Sequence, residues 1–378
     1  MNVHLEKPAI WIDRNDTLEQ ALRAVGKAAI IAVDTESNSL YAYRERVCLI
    51  QFSVPSNDLL IDGLADLKLD KLGALFADAA VEKVFHASEY DILCLKRDYG
   101  FSFNNIFDTM QAARILGYEK LGLSNLLEDL FGIELSKKYQ KADWGKRPLS
   151  AEMLQYARMD THHLIGLRDH LRQQLIEKEL FELAEEDFRR LCRVEANHKD
   201  TPAYTQVSGY QRLDSQQLRV LDELCRFREK QAERMDRPLF KVIGNSALLA
   251  IAQACPRNAA QLKTVEELSP KLFDRFSQGL LAAVNSGLSL EPIVVKNRKR
   301  PSDAYINRLE TLKEWRKNAA ARMGVQSDII LPRDILEAIV GSNPQNQSDL
   351  RLEMAEVPWR YSRFGAEILE VIHQDESQ

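Results

Sequence analysis

Four carboxylates and one phenol stand in three short segments whose spacing could do chemistry on a phosphodiester. Asp34 and Glu36 are two apart and follow the apolar run Ala29-Ile30-Ile31-Ala32-Val33. That run reads as a buried strand. Residues i and i+2 of a strand face the same side, so both carboxylates address one site. Tyr156 and Asp160 are four apart in a helical pattern, one turn apart on a shared face. Asp91 lies near the start of a helix candidate, where a carboxylate is favoured by the positive end of the helix dipole. Such a group of carboxylates repels itself unless cations neutralise it. Its all-oxygen donor set suits magnesium or manganese rather than softer metals. Two such ions about 4 Å apart would clamp the attacking and leaving oxygens of an in-line phosphoryl displacement. A tyrosine phenol, with a reference pKa of about 10, is a poor base at neutral pH but a good group for orienting water.

These residues need elements to place them. Up to about residue 190, strand-like and helix-like segments alternate. Strands are expected at 29–33, 47–54, 58–62 and 81–86, and helices at 67–76 and 89–97. This order predicts a mixed sheet covered by helices. A polar stretch, Glu195 to Pro202, reads as a linker. Beyond it the pattern is helical, with a second break at 292–301 that carries the basic cluster Lys296 to Arg300. The two C-terminal segments match under a shift of 88 residues. Leu221 then falls on Leu309, Leu224 on Leu312, Phe227-Arg228 on Trp315-Arg316, Leu248 on Leu336 and Ile251 on Ile339. The spacing is that of amphipathic helices facing a core. The expected domains are therefore 1–195, 210–290 and 301–378.

The 378 residues are ordinary in composition, 45% hydrophobic and 28% charged, with a formal charge of −5. Attraction to a polyanion must then come from local basic residues and bound metal rather than bulk charge. Five scattered cysteines, without a CxxC pair, point to reduced thiols in a cytoplasmic protein and exclude zinc fingers. No apolar run reaches the roughly 18 residues of a membrane span.

The three segments resemble the exonuclease motifs of the DEDD superfamily, which includes proofreading domains of DNA polymerases. The tyrosine four before the last Asp matches the tyrosine branch. Asp34-Thr35-Glu36-Ser37-Asn38-Ser39-Leu40 is similar to the proofreading form of the first motif. Lys138 to Leu149 and Phe107 to Ala113 look like stretches of the ribonuclease D family, and the helical repeats resemble HRDC domains. The resemblance implies an α/β, RNase H-like exonuclease domain with a mixed central sheet, followed by two all-α HRDC-like domains. It implies two divalent ions, Mg2+ or Mn2+, held by Asp34, Glu36, Asp91 and Asp160, with Tyr156 orienting the water. It also implies 3′→5′ exoribonuclease activity that releases 5′-nucleoside monophosphates and trims 3′-extended tRNA precursors. A monomer is expected of a chain that carries its own substrate-holding domains. Thr35 and Leu40 are expected at the substrate, Leu40 by packing on the terminal base. Trp144, flanked by Lys138, Lys141, Lys146 and Arg147, is expected to stack a base while Lys138 and Arg147 pair with phosphate. The first repeat is locally basic and the second acidic, so the first is expected to contact RNA more. A DNA-directed exonuclease of the same superfamily and a non-catalytic RNA-binding protein remain alternatives.

Overall fold

The computed structural model describes residues 7–25, 28–195, 201–294 and 300–374. Parts of both expected linkers, 196–200 and 295–299, lie outside the described residues. Two compact units divide the chain. One comprises Met1–Glu36, Val47–Ala196 and Arg300–Gln378; the other comprises Ser37–Arg46 and Asn197–Lys299.

The first unit is built on a six-stranded sheet. Its strands are β1 (Ile10–Ile12), β2 (Ile30–Ser37), β3 (Val47–Val54), β4 (Asn57–Asp62), β5 (Glu82–Phe85) and β6 (Ile106–Asp108), arranged β1-β4-β3-β2-β5-β6. The pairs β1–β4, β2–β5 and β5–β6 are parallel, whereas β3 and β4 form an antiparallel hairpin. The sheet is therefore mixed, as the alternation of elements predicts. Every residue of β3 is buried, polar Gln51 and Ser53 included, so that strand shows no alternation of inward and outward residues. The edge strands β1 and β6, three residues each, are too short to leave a periodic signal and were not anticipated.

Helices α1 (Asn15–Val25), α2 (Asp70–Ala77), α3 (Glu89–Tyr99), α4 (Thr109–Ile115), α5 (Leu123–Phe131), α6 (Ala151–His162), α7 (Leu164–Glu177) and α8 (Phe181–Cys192) accompany the sheet. Local chemistry fixes their ends. The Ser150 hydroxyl accepts the Met153 N–H to start α6, and Gly100 takes the left-handed conformation that ends α3. The main core runs from Ile12 and Leu18 through Phe52 and Phe76 to Leu183 and Phe188, and a smaller cluster gathers Cys48, Leu49, Leu60, Trp144 and Ala157.

In the second unit α9 (Ser215–Met235), α10 (Leu239–Val242), α11 (Asn245–Ala254), α12 (Ala259–Lys263) and α13 (Pro270–Ser289) enclose their own core. Segment 37–46 is held in this unit. Tyr43 donates its hydroxyl to Glu229 and its backbone N–H to Asp236, and Arg44 pairs with Glu233.

The C-terminal helices of the first unit are α14 (Asp303–Met323), α15 (Ser327–Ile330), α16 (Arg333–Ser342), α17 (Gln347–Glu353) and α18 (Pro358–Gln374). Each begins 88 residues after its counterpart, so the repeat seen in the sequence is a repeat of structure. Both copies share an inner bond. Arg228 donates to the Ile243 carbonyl, and Arg316 to that of Leu331. The second copy has its own core but is fastened to α8. Arg360 and Glu186, both fully buried, pair at 2.8 Å. The same guanidinium also reaches Asp187 and the Ile329 carbonyl. Ile329 is counted within the core of the sheet layer. Among the described residues no helix is long and apolar enough to cross a membrane, and no disulfide joins the five cysteines.

Two residues expected at the substrate are placed otherwise. Trp144 is only 1% exposed and packs with Cys48, Leu49, Leu60 and Ala157, so its ring is not offered to a base. A large aromatic in a basic loop reads as a stacking platform in sequence, but here it is the plug under the first half of α6. Arg147 is also committed. Its guanidinium pairs with Asp62 and donates to the carbonyls of Cys48, Trp144 and Lys146, which leaves little for phosphate.

Arg360→Ala, which strands Glu186 without its partner, is expected to lower stability by about 3–5 kcal/mol in denaturant unfolding. Trp144→Ala is expected to cost about 3–5 kcal/mol through the cavity it leaves. The Trp144 indole N–H has no hydrogen-bond partner. Trp144→Phe should therefore cost clearly less, and equal losses for the two variants would contradict a packing role.

Candidate active site

Strand β2 runs through Asp34 and Glu36, so the two carboxylates sit on one side of a strand in the middle of the sheet. Asp91 comes from the first turn of α3 and is buried. The Thr35 hydroxyl donates to the Asp91 carboxylate, which ties that helix to the catalytic strand. Thr35, expected at the substrate, thus has its side chain engaged in holding a carboxylate. Tyr156 and Asp160 lie one turn apart on α6.

Asp34, Thr35, Glu36, Tyr156 and Asp160 line one cavity of about 410 Å3. Its other wall carries His86, Gly122 at the start of α5, Lys137 and Gln140. A second cavity of about 600 Å3 shares Tyr156 and Asp160 and includes Lys138, Tyr139 and Met159. Lys138 is exposed there, with its ammonium 4.9 Å from the centre of the Tyr139 ring. Leu40 belongs to segment 37–46 and is 37% exposed.

The turn that presents Asp91 is held by Asp108. Its carboxylate accepts the N–H groups of Ala87 and Ser88 before α3, and those of Met110 and Gln111 at the start of α4. Ala87 sits at φ +62°, a left-handed conformation that an alanine adopts only when its surroundings impose it. Two backbone bonds from the adjacent turn to one carboxylate supply that constraint. His86 bonds the Thr109 hydroxyl at 2.9 Å, and burial lowers its pKa.

The electrostatics follow from burial first and crowding second. Burial raises the Asp34 pKa well above the usual carboxylate value, and Asp91, Asp160 and Glu36 add to the rise. Burial, with Asp160 and Asp91, pushes Glu36 to about 9. Asp91 rises to about 7 through burial against the opposing Thr35 bond, and burial takes Asp160 to about 7. The Tyr156 phenol is raised by burial and by Asp160, Glu36 and Asp34, so it stays neutral. Each carboxylate is disfavoured as an anion in the absence of positive charge, which is the state cations relieve. Among the described residues no three His, Cys, Asp or Glu side chains stand in ready-made ligand geometry. The donor set fits hard divalent cations by its chemistry, four carboxylates and no sulfur or imidazole.

The sequence reading missed Lys137, Gln140, His86 and the start of α5 in this cavity. They belong to loops and element ends without periodicity. Lys137 adjoins Lys138, and Gln140 lies within the family-like stretch Lys138 to Leu149, which hinted at both.

A 3′-5′ exonuclease family model matches residues 9–176, and an HRDC domain model matches residues 217–284 and 306–372. Protein RRP6-like 1 of Arabidopsis thaliana is 32% identical over 326 residues, covering 80% of this chain and 50% of that protein. This chain thus spans half the length of that relative. Ribonuclease D of Pseudomonas paraeruginosa is 29% identical over 371 residues, 96% of this chain and 97% of that protein. The crystal structure of Escherichia coli RNase D, 21% identical, has the same fold with a TM-score of 0.73 over 98% of this chain and 99% of that one. The chain belongs to the 3′-5′ exonuclease family, its exonuclease domain followed by two HRDC domains.

Proposed function

We propose that this chain is a divalent-metal-dependent 3′→5′ exoribonuclease that releases 5′-nucleoside monophosphates and trims the 3′ ends of tRNA precursors. One observation carries the reading: Asp34, Glu36, Tyr156 and Asp160 line a single cleft, with Asp91 tied to its catalytic strand through Thr35. Clustered negative charge is the wrong environment for a phosphate that is only to be bound. It suits one that is to be cut with cations present. The similarity to a ribonuclease D over nearly the whole chain supports RNA as substrate. We further infer that it acts as a monomer in the cytoplasm.

Asp34, Glu36, Asp91 and Asp160 would hold two ions, Mg2+ or Mn2+. Bound there, they would supply Lewis acidity and offset the charge that gathers on the phosphate oxygens. The neutral Tyr156 phenol orients the attacking water by hydrogen bonding. Water adds to phosphorus, the bond to the 3′ oxygen of the preceding nucleotide breaks, and that oxygen takes a proton. The products are a 5′-monophosphate and a strand shorter by one nucleotide. Lys138, which lines the second cavity, and Lys137, which lines the first, would pair with phosphates of the retained strand.

The test is a 3′-extended tRNA incubated with Mg2+, alongside matched RNA and DNA oligonucleotides. Stepwise release of 5′-monophosphates from RNA, abolished by EDTA, is expected; preferential cleavage of DNA or 3′-phosphate products would overturn the reading. Asp160→Ala should abolish turnover while circular dichroism stays native. Tyr156→Phe should lower kcat roughly ten- to hundred-fold with RNA affinity unchanged, as for a misoriented nucleophile. A pure affinity defect would remove Tyr156 from its role.

A further inference from the structure

Behind α6, on the side away from Tyr156 and Asp160, lies a closed polar network. Asp58, at the start of β4, is 4% exposed. Its carboxylate accepts the Arg158 Nε–H at 2.5 Å, the Ser53 hydroxyl at 2.6 Å and a bond from His162 Nδ1 at 2.9 Å. Ser53 also meets the Thr161 hydroxyl at 2.7 Å. Arg158 and Thr161 are 7% and 1% exposed. Burial works against the Asp58 charge, but the bonds from His162, Ser53 and Arg158 hold its pKa below the usual carboxylate value. The group is therefore an anion in its buried setting at neutral pH.

The placement of this network along α6 is what gives it meaning. Arg158, Thr161 and His162 fall at i, i+3 and i+4 and share one helix face. Tyr156 and Asp160 share another, and each is two residues from Arg158 or His162. At 3.6 residues per turn, a two-residue offset is more than half a turn. One face thus grips the β3–β4 hairpin while the opposite face carries the reacting groups. Asp58 touches Arg158 and His162 on successive turns, so it fixes both the rotation of α6 and its height along its axis. Ala157, between the two faces, sits on the Trp144 plug and adds no direction of its own.

We propose that Asp58, through Arg158, Ser53, Thr161 and His162, is a positioning residue that sets the rotation of α6 and so aims Tyr156 and Asp160 at the scissile phosphate. This rests on the exonuclease reading of the cleft. A small roll of the helix would move the phenol and the carboxylate together, off the water and off the cation site. RNA held elsewhere in the cleft would not feel it.

The experiment compares the full chain with Asp58→Asn, Ser53→Ala, Arg158→Lys and Arg158→Met. Three quantities are read: kcat and KM on a single-stranded RNA, Mn2+ affinity by titration of the protein without RNA, and melting temperature. Asp58→Asn is expected to lower kcat about ten- to hundred-fold, with KM within about twofold, and to weaken Mn2+ binding about tenfold. Arg158→Lys, which keeps a cation opposite Asp58, should recover more kcat than Arg158→Met. A role confined to stability predicts a lower melting temperature with kcat and Mn2+ affinity unchanged where the variant is folded, and that result would overturn the proposal. Should Asp58→Asn not fold, Ser53→Ala leaves the Asp58–Arg158 pair in place and must still lower kcat several-fold; an unchanged kcat overturns the proposal equally. An inactive wild type would instead sink the exonuclease reading. In that case the Mn2+ titrations alone decide whether the network aims Asp160.

Discussion

Mutual repulsion among four carboxylates is the constraint around which the first unit is organised. Asp34 and Glu36 are carried by β2 in the sheet interior, Asp91 by a helix on one side and Asp160 by a helix on another. Left to themselves, such groups would move apart or take up protons; burial raises all four pKa values, and repulsion from the other carboxylates adds to the rise of Asp34 and Glu36. The fold opposes it at the backbone. Each carboxylate is carried by an element whose position is fixed by something other than the site. β2 lies between β3 and β5. α3 is held by the Asp108 turn, and α6 by the Asp58 network and the Trp144 plug. The energy that assembles the cleft comes from packing and hydrogen bonds in the layers around it.

Much of this was legible in the sequence because the carriers have short-range signatures. The i, i+2 pair on β2 and the i, i+4 pair on α6 are visible as spacing, and the apolar runs at 47–54 and 58–62 give the hairpin nearly to the residue. The mixed sheet followed by helical modules was read correctly from the change of pattern. What spacing does not show is burial. Trp144 and Arg147 sit in a loop with lysines on both sides, and nothing local says that one ring and one guanidinium turn inward. Their partners, Leu60, Asp62 and Cys48, are about 85 to 100 residues away. The same holds for Asp58, whose partners on α6 are 100 residues distant.

Asp108 and Asp58 illustrate how a carboxylate can serve a site without entering it. Asp108 satisfies four backbone donors and stabilises a left-handed alanine. Asp58 neutralises a buried arginine. Each lies on a strand one place removed from β2, Asp58 on β4 and Asp108 on β6, and each addresses a helix that carries a site carboxylate. An alanine at either position would remove no reacting atom. It would leave backbone N–H groups, or a buried cation, without an acceptor.

The two HRDC copies agree helix for helix, down to the arginine that braces an inner carbonyl, yet Arg360 has Leu272 as its counterpart. One copy thus has an apolar side chain where the other drives a bolt into α8. Two near-identical helical frames are unequal tenants of one polypeptide: Arg360→Leu would copy the first module's residue into the second and leave Glu186 facing a leucine.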